Sequence, residues 1–521
     1  MFLPELAELL GARIVPVRSG AGSAVCDTKL LDAAAFNKTE VTAVTHNSQW
    51  VTPGALFVAI NGDSVDGHKF AAAAEQAGAV AVLGEGRTAA DESNLPYLQV
   101  PNARQALADA AVALTGDPSA DLRVIGITGT DGKTTTSWLT RYILRATGTS
   151  VGMLSTAGYE LADGELQQFE GRFTTPEAPQ VQQILGEMRD QGATAAVIES
   201  SSHALLMERV RGVKWDVAIW THISPEHLNT HGGMEGYFAD KRKLIEAAPF
   251  AVLNADDPWC ERLRGIAPEE STYGVDSDAE WRALDITETA SGIDFTLQYP
   301  GDDREADNVD AFAQTQAHLP MLGRYNAYNA LAAIAAVNRL GVSVPDALRA
   351  LREFPGVPGR MQTVQEPQSD INVVIDFAHA EKSLEKALQA LREVTETELW
   401  VVVGAAGGTR DPSKREPMGR IATTIADHVV FTEDDPYFTP VQEIVAQMTA
   451  GADAAGNSNY TVIEDRTAAI NFAVANAPAG AVVLLAGKGP ESTIERAHGS
   501  APWSEIAAAK TALNLRNSMR G

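Results

Sequence analysis

The segment GITGTDGKTTTSW (126–138) carries glycines at Gly126, Gly129 and Gly132, followed at once by Lys133 and Thr134. It joins an apolar run, RVIGIT (123–128), to an amphipathic stretch, TTTSWLTRYILRATG. A strand, a glycine loop and a helix start in that order form a phosphate-gripping context. Free N–H groups and the positive end of the helix dipole point at phosphate oxygens. Lys133 would neutralise the outer phosphates and the Thr134 hydroxyl would ligate Mg²⁺. The common spacing G-x-x-x-x-G-K-[ST] is not met, because the position that needs the first glycine is Ile127. The loop is therefore a variant.

Glu199 ends the apolar run TAAVIE, and a carboxylate at the end of a parallel strand lies at the ligand crevice. Beside ATP it would complete a Mg²⁺ shell; a satisfied surface acid is an equal reading. His227 and His231 are four residues apart and could bind metal if helical, but Gly232 and Gly233 favour a loop. The reading adopted is His227 as ligand and His231 as a substrate or packing residue. Lys241 follows in an amphipathic stretch, where a solvated lysine is the ordinary fate. Asn326 and Asn329 share one helical face, as caps or as amides for an adenine edge, and local sequence leaves both open.

The elements that must position these residues alternate along the chain. ALFVAI (55–60), GAVAVLGE (78–85), TAAVIES (194–200), WDVAIWT (215–221) and FAVLNA (250–255) read as strands, with HKFAAAAEQAG (68–78) and NAYNALAAIAAVNRLG (326–341) as helices. The polar stretch 275–318 reads as a peripheral sheet. TGDPSADLR (115–123) and FPGVPGR (354–360) are linkers. Beyond the second linker, strands and helices alternate as in a parallel sheet covered on both faces. The fold class is α/β.

The chain of 521 residues is long enough for about three domains. Its 68 Asp+Glu against 41 Lys+Arg argue against nucleic-acid or anionic-membrane binding. Cys26 and Cys260 lack metal or disulfide spacing. The start has no basic region before its apolar residues, and no apolar run reaches roughly 18 residues, so a cytoplasmic protein without membrane or nucleic-acid partners is expected.

Together these pieces resemble the Mur ligase superfamily, the ATP-dependent amide-forming enzymes of peptidoglycan assembly. The loop G-x-x-G-T-x-G-K-T is that family's own variant, which accounts for the glycine spacing. The family's characteristic residues match Lys133, Glu199, His227, Asn326, Asn329, Arg360 (in VPGRM) and Asp376 (in VIDFAH), in order. The blocks FTTPEAPQVQ, IESSSHAL, ISPEHLNTHGGMEGYFADK, DFAHAEKSLEKAL and GKGPES are most similar to the MurE branch, as is the N-terminal block from HNSQWVTPG to GAVAV. The resemblance implies an N-terminal UDP-binding domain (1–118), a central ATPase domain (119–356) and a C-terminal Rossmann-like domain (357–521).

It also implies residue roles. Gly129, Thr130, Gly132, Lys133, Thr134, Thr135, Asn326, Asn329, Arg360 and Asp376 would contact ATP. Thr134 and Glu199 would serve one Mg²⁺; His227 and a carbamylated Lys241 would serve a second. Ser48, Thr174, Thr175, Ser201 and Arg209 would hold UDP-MurNAc-L-Ala-D-Glu, with Asp66-Gly67-His68 part of the first domain's signature. Arg415, Asp434, Asp435, Tyr437 and Glu491 would receive the amino acid, and a monomer is expected. Branch members that use meso-diaminopimelate carry D-N-P-R where this chain has DDPY (434–437). Tyr437 cannot grip a carboxylate as arginine does, and Asp435 favours an ammonium, so L-lysine or L-ornithine is expected. The chain also departs from the family pattern at NSQ (47–49), Met207, His222, FAHAE (377–381) and Pro490. The competing readings are another Mur-type ligase, such as a folylpolyglutamate synthetase, and a catalytically silent nucleotide-binding scaffold.

Overall fold

The computed structural model describes residues 1–15, 36–62, 65–88, 91–169, 174–289, 292–301, 312–364, 366 and 368–520; Cys26 lies outside them. The described residues divide into two compact units, Met1–Thr272 with Ala335–Gly341, and Tyr273–Ile334 with Val342–Gly521.

The first unit opens with a small sheet of β1 (Arg13–Val15), β2 (Ala43–Thr45), β3 (Ala55–Val58), β4 (Ala81–Gly84) and β5 (Tyr97–Gln99). Its order is β1-β5-β4-β3-β2, parallel except for β1. Helix Ala103–Thr115 packs its alanines and Leu107 on that sheet. The Asn102 side chain caps it by accepting from the Arg104 and Gln105 amides, and Gly116 ends it at φ 73°. The Asp66-Gly67-His68 signature is structural: Asp66 Oδ1 accepts from the His68 amide and faces its Nδ1, while His68 Nε2 meets the Tyr97 hydroxyl at 2.8 Å.

The larger sheet of this unit contains β6 (Arg123–Thr128), β7 (Val151–Ser155), β8 (Gly158–Glu160), β9 (Leu166–Gln167), β10 (Ala195–Glu199), β11 (Val217–Trp220) and β12 (Phe250–Asn254). Their order is β12-β11-β6-β10-β7-β8-β9. The five strands from β12 to β7 are parallel, and their near-continuous Val, Ile, Leu and Ala content is what burial on both faces demands. The chain leaves β6 for β7, and β10 later inserts between them, so the order reverses beside β6. The crevice at the carboxyl ends of β6, β10 and β11 is thus the natural ligand position. Gly126 is a packing residue within β6. A Cβ there would fall 2.8 Å from both Leu244 Cδ1 and Trp215 Cζ3.

In the second unit, the polar stretch forms three antiparallel strands, Trp281–Thr289, Gly292–Pro300 and Phe312–Leu319. Further along lies a six-stranded sheet ordered Gln362–Val364, Asn372–Asp376, Val482–Ala486, Leu399–Val403, His428–Phe431, Tyr460–Val462, parallel except for its first edge strand. Apolar clusters cover both faces, as the alternating pattern predicts. Each fully buried Val, Leu or Ile there contributes about 1.5–3 kcal/mol of transfer free energy. Among the described residues, no helix is long and apolar enough to cross a membrane.

Candidate active site

The loop after β6 is held by contacts within the chain. Gly129 has φ 144° and Gly132 φ 83°, and a Cβ on Gly129 would fall 1.8 Å from Thr221 Oγ1. The Thr130 amide donates to the His222 carbonyl at 2.6 Å, and Thr130 Oγ1 lies 3.1 Å from the Tyr237 hydroxyl. The helix begins at Lys133, so its first amides open onto the loop. Lys133 Nζ donates back to the Thr130 carbonyl at 2.7 Å. Thr135, one residue beyond Thr134, is buried in the helix's first turn. His222, a departure from the family pattern, supports the loop through its backbone, while its Nε2 lies 3.4 Å from Asp131.

Glu199, at the end of β10, is almost wholly buried. Thr134 Oγ1 lies 3.0 and 3.1 Å from its two oxygens, and the Thr156 amide and hydroxyl donate to it at 2.8 and 3.0 Å. Thr156 Oγ1 also meets Thr174 Oγ1 at 3.2 Å. One chain of contacts therefore runs from the phosphate loop through the carboxylate to Thr174. Next to it, Thr175 Oγ1 donates to the Glu199 carbonyl at 2.7 Å and accepts from the Ser201 amide at 3.2 Å. Ser201 Oγ caps the following turn by accepting from the Ala204 amide at 3.1 Å. Arg209 donates to the Thr175 carbonyl at 3.0 Å and pairs with Glu177 at 2.7 Å. The Met207 sulfur is 3.6 Å from Arg209 Nη2. Ser48 begins a short turn after Asn47 in the first sheet's region.

The two histidines separate as their sequence context suggests. His227 precedes the four-residue helix Leu228–His231 at φ 53° and is not part of it. His231 is buried with both ring nitrogens engaged, Nδ1 with Asp240 at 2.7 Å and Nε2 with Ser202 Oγ at 3.1 Å. His227 keeps about half of its side chain exposed. Between them stands His203, whose ring packs edge-on against His227 at 4.8 Å and His231 at 5.3 Å. Burial, then the neighbouring His227 and His231, push its pKa down to about 4.

Lys241 is not a solvated lysine. It is 1% exposed on helix Met234–Ala247, donates to the Gly129 carbonyl and lies 4.7 Å over the Tyr237 ring. Burial pushes its pKa well below the lysine range, and the nearby Lys133 charge acts in the same direction.

In the second unit, Asn326 and Asn329 lie inside helix Tyr325–Arg339. Asn326 Nδ2 donates to the Leu322 carbonyl at 2.7 Å, and Asn329 Nδ2 donates to Asn326 Oδ1 at 2.8 Å. The Asp376 carboxylate accepts from the Met361 amide at 2.8 Å, and burial raises its pKa. Arg360 lies 4.9 Å over the Phe377 ring, with a buried Nε that has no hydrogen-bond partner.

Asp434, Asp435 and Glu491 bring carboxylate oxygens within 4.8 Å of one another. The fully buried Lys488 sits among them, 2.9 Å from Asp435, 2.5 Å from Glu491 and 3.9 Å from Asp434. Asp435 Oδ1 also accepts from the Glu495 amide at 2.8 Å. The carboxylate singled out in the sequence as an ammonium seat is thus engaged by the chain itself. Asp434 Oδ1 is buried without a hydrogen-bond partner. Tyr437 has φ 50° and donates its amide to the Glu495 carbonyl at 2.9 Å. Arg415 is buried on helix Arg415–Ile425, donating to Gln447 at 3.0 Å and to the Ala406 carbonyl at 2.8 Å.

Sequence reasoning missed Thr156, His203 and Lys488. Of these, His203, two residues after Ser201 in IESSSHAL, and Lys488 in GKGPES lay within blocks that carry the resemblance, whereas Thr156 carried no signal.

Comparison with known proteins identifies the family. The model of the Mur ligase family catalytic domain matches residues 40–114, that of the Mur ligase middle domain 127–337, and that of the Mur ligase glutamate ligase domain 359–489. The UDP-N-acetylmuramyl-tripeptide synthetase of Deinococcus radiodurans is 56% identical over 479 residues, covering 92% of this chain and 96% of that protein. The UDP-N-acetylmuramoyl-L-alanyl-D-glutamate–2,6-diaminopimelate ligase of Geobacillus thermodenitrificans is 37% identical, covering 87% of this chain and 91% of that protein. A solved structure of a UDP-N-acetylmuramoyl-L-alanyl-D-glutamate–2,6-diaminopimelate ligase superposes with TM-score 0.64 at 28% identity, over 94% of this chain and 98% of that one. MurF from Acinetobacter baumannii, at 19% identity and TM-score 0.62 over 99% of this chain and 98% of its own, shares the fold. Matched along nearly its whole length in this way, the chain belongs to the Mur ligase family of ATP-dependent, ADP-forming amide ligases, in its tripeptide-synthetase (MurE) branch.

Proposed function

We propose that this ligase joins L-lysine or L-ornithine to the D-Glu residue of UDP-MurNAc-L-Ala-D-Glu. The observation that carries the chemistry is the contact chain Thr134–Glu199–Thr156–Thr174. It ties the loop that would grip ATP to the residues that would hold the dipeptide. The γ-phosphate would pass to the D-Glu γ-carboxylate, the amine would attack the acyl phosphate, and phosphate would leave. Such a transfer depends on positioning and charge neutralisation.

Hard oxygen donors suit Mg²⁺, and Thr134 with Glu199 offers three oxygens in mutual contact. His227 and Lys241 would serve a second ion. Mg²⁺, when bound, supplies neutralisation of phosphate and carboxylate charge. Lys241 fits this role only as a carbamate. Its lowered pKa favours the free amine, which adds to CO₂ with loss of one proton and becomes an anion.

The amino-acid preference rests on Asp434, Glu491 and Tyr437. Three carboxylates converge on one lysine, and Asp434 Oδ1, without a hydrogen-bond partner, could accept a side-chain ammonium. The second reading is 2,6-diaminopimelate, after which the Geobacillus relative is named. A phenol at position 437 cannot supply the bidentate charged contact that a second carboxylate calls for.

Hydroxylamine tests the acyl-phosphate step. With ATP, Mg²⁺ and UDP-MurNAc-L-Ala-D-Glu, but no amino acid, a hydroxamate should form on D-Glu. ADP release without hydroxamate would sink this chemistry.

A further inference from the structure

The segment Gly487–Glu491 faces two ways. Its side chains Lys488 and Glu491 belong to the carboxylate cluster. Its backbone is wedged against the residues that present Arg360 and Asp376. Gly487 donates its amide to the Asp376 carbonyl at 3.1 Å. Gly489, at φ 49°, lies so close to Phe377 that an added Cβ would fall 2.7 Å from the Phe377 Cβ. Phe377 in turn carries the Arg360 guanidinium over its ring.

The tightest point is Pro490. A Cβ on Gly359, whose φ is 65°, would fall 2.3 Å from Pro490 N, 2.4 Å from the Gly489 carbonyl carbon and 2.5 Å from Pro490 Cδ, so the Gly489–Pro490 peptide and the ring edge both press on Gly359. Gly359 immediately precedes Arg360, and the Met361 amide behind it is held by Asp376. A proline ring fixes φ and has no amide to donate, so the backbone at Pro490 is stiff where it meets Gly359. Arg360 has a buried Nε without a hydrogen-bond partner, and its guanidinium is held over Phe377.

We propose that Pro490 is a positioning residue that locks the amino-acid cluster to the Arg360–Asp376 loop through its contact with Gly359. Seating of the amino acid on Glu491 and of the nucleotide on Arg360 then depend on one shared contact. The inference rests on the reading of the two ends given under the proposed function.

The test is a double-mutant cycle in the full-length protein, Pro490→Gly, Gly359→Ala and both together, with thermal unfolding to confirm that each variant is folded. Steady-state phosphate release gives the three KM values. The expected result is a rise of at least about fivefold in KM for both ATP and the amino acid in Pro490→Gly, with KM for UDP-MurNAc-L-Ala-D-Glu unchanged. The two single changes should also be non-additive. Additive effects, or a rise confined to the amino acid, would overturn the inference. Failure of the wild-type protein to turn over that substrate would instead overturn the proposed function.

Discussion

Thr134 Oγ1 lies within 3.1 Å of both oxygens of Glu199, a residue 65 positions away in the chain. The contact exists because β10 inserts beside β6, bringing the end of one strand to the loop of the other. Glu199→Gln keeps the shape and removes the charge. It should lower kcat about 100-fold or more and raise the Mg²⁺ concentration needed for half-maximal phosphate release. An unchanged Mg²⁺ dependence would remove Glu199 from the metal site.

Lys241 should behave as an anion. Lys241→Ala should lose about 100-fold in kcat and recover in part with added acetate or formate. In the wild-type protein, isotopically labelled bicarbonate should give a carbamate signal that the variant lacks. A Lys241→Ala variant with near-normal activity would contradict this role.

Tyr437 should govern the choice of amino acid. Tyr437→Arg should raise kcat/KM for meso-diaminopimelate by about 10- to 100-fold, the value of one charge-assisted pair. Asp434→Asn should raise KM for L-lysine and L-ornithine while leaving KM for ATP unchanged. Competition kinetics with paired amino acids would measure both.

His203 should make stability fall in mild acid. Its pKa drops from the ordinary 6.5 to about 4 on folding, so the unfolded chain takes up the proton first. The stability tied to neutral His203 should be fully present above pH 6.5 and be lost as pH falls toward 4. His203→Gln should flatten that part of the curve, as read by denaturant unfolding at several pH values. An unchanged slope would show that other groups set it.

The local structure around this site was legible in the sequence, whereas most residue roles came only with the family resemblance. The strand RVIGIT forms over the predicted residues, Lys133 opens the helix, and Glu199 stands at a strand end because apolar runs stop where strands meet ligand crevices. The His227 and His231 context was also informative, since Gly232 does end the short helix. What was not legible depends on topology. Thr156 follows β7, and nothing in its neighbourhood says that β10 will come between β6 and β7. Lys488 lies in the block GKGPES, but only the fold shows it buried among three carboxylates. That pairing also changes the reading of Asp435, whose charge is answered from within the chain.

The most direct test of the central claim is phosphate release with ATP, Mg²⁺ and UDP-MurNAc-L-Ala-D-Glu against L-lysine, L-ornithine, meso-diaminopimelate, a neutral amino acid and, separately, a folate in place of the UDP substrate. Release is expected with L-lysine or L-ornithine, with the amide product formed in step. Preference for meso-diaminopimelate, or release driven by the folate alone, would contradict it.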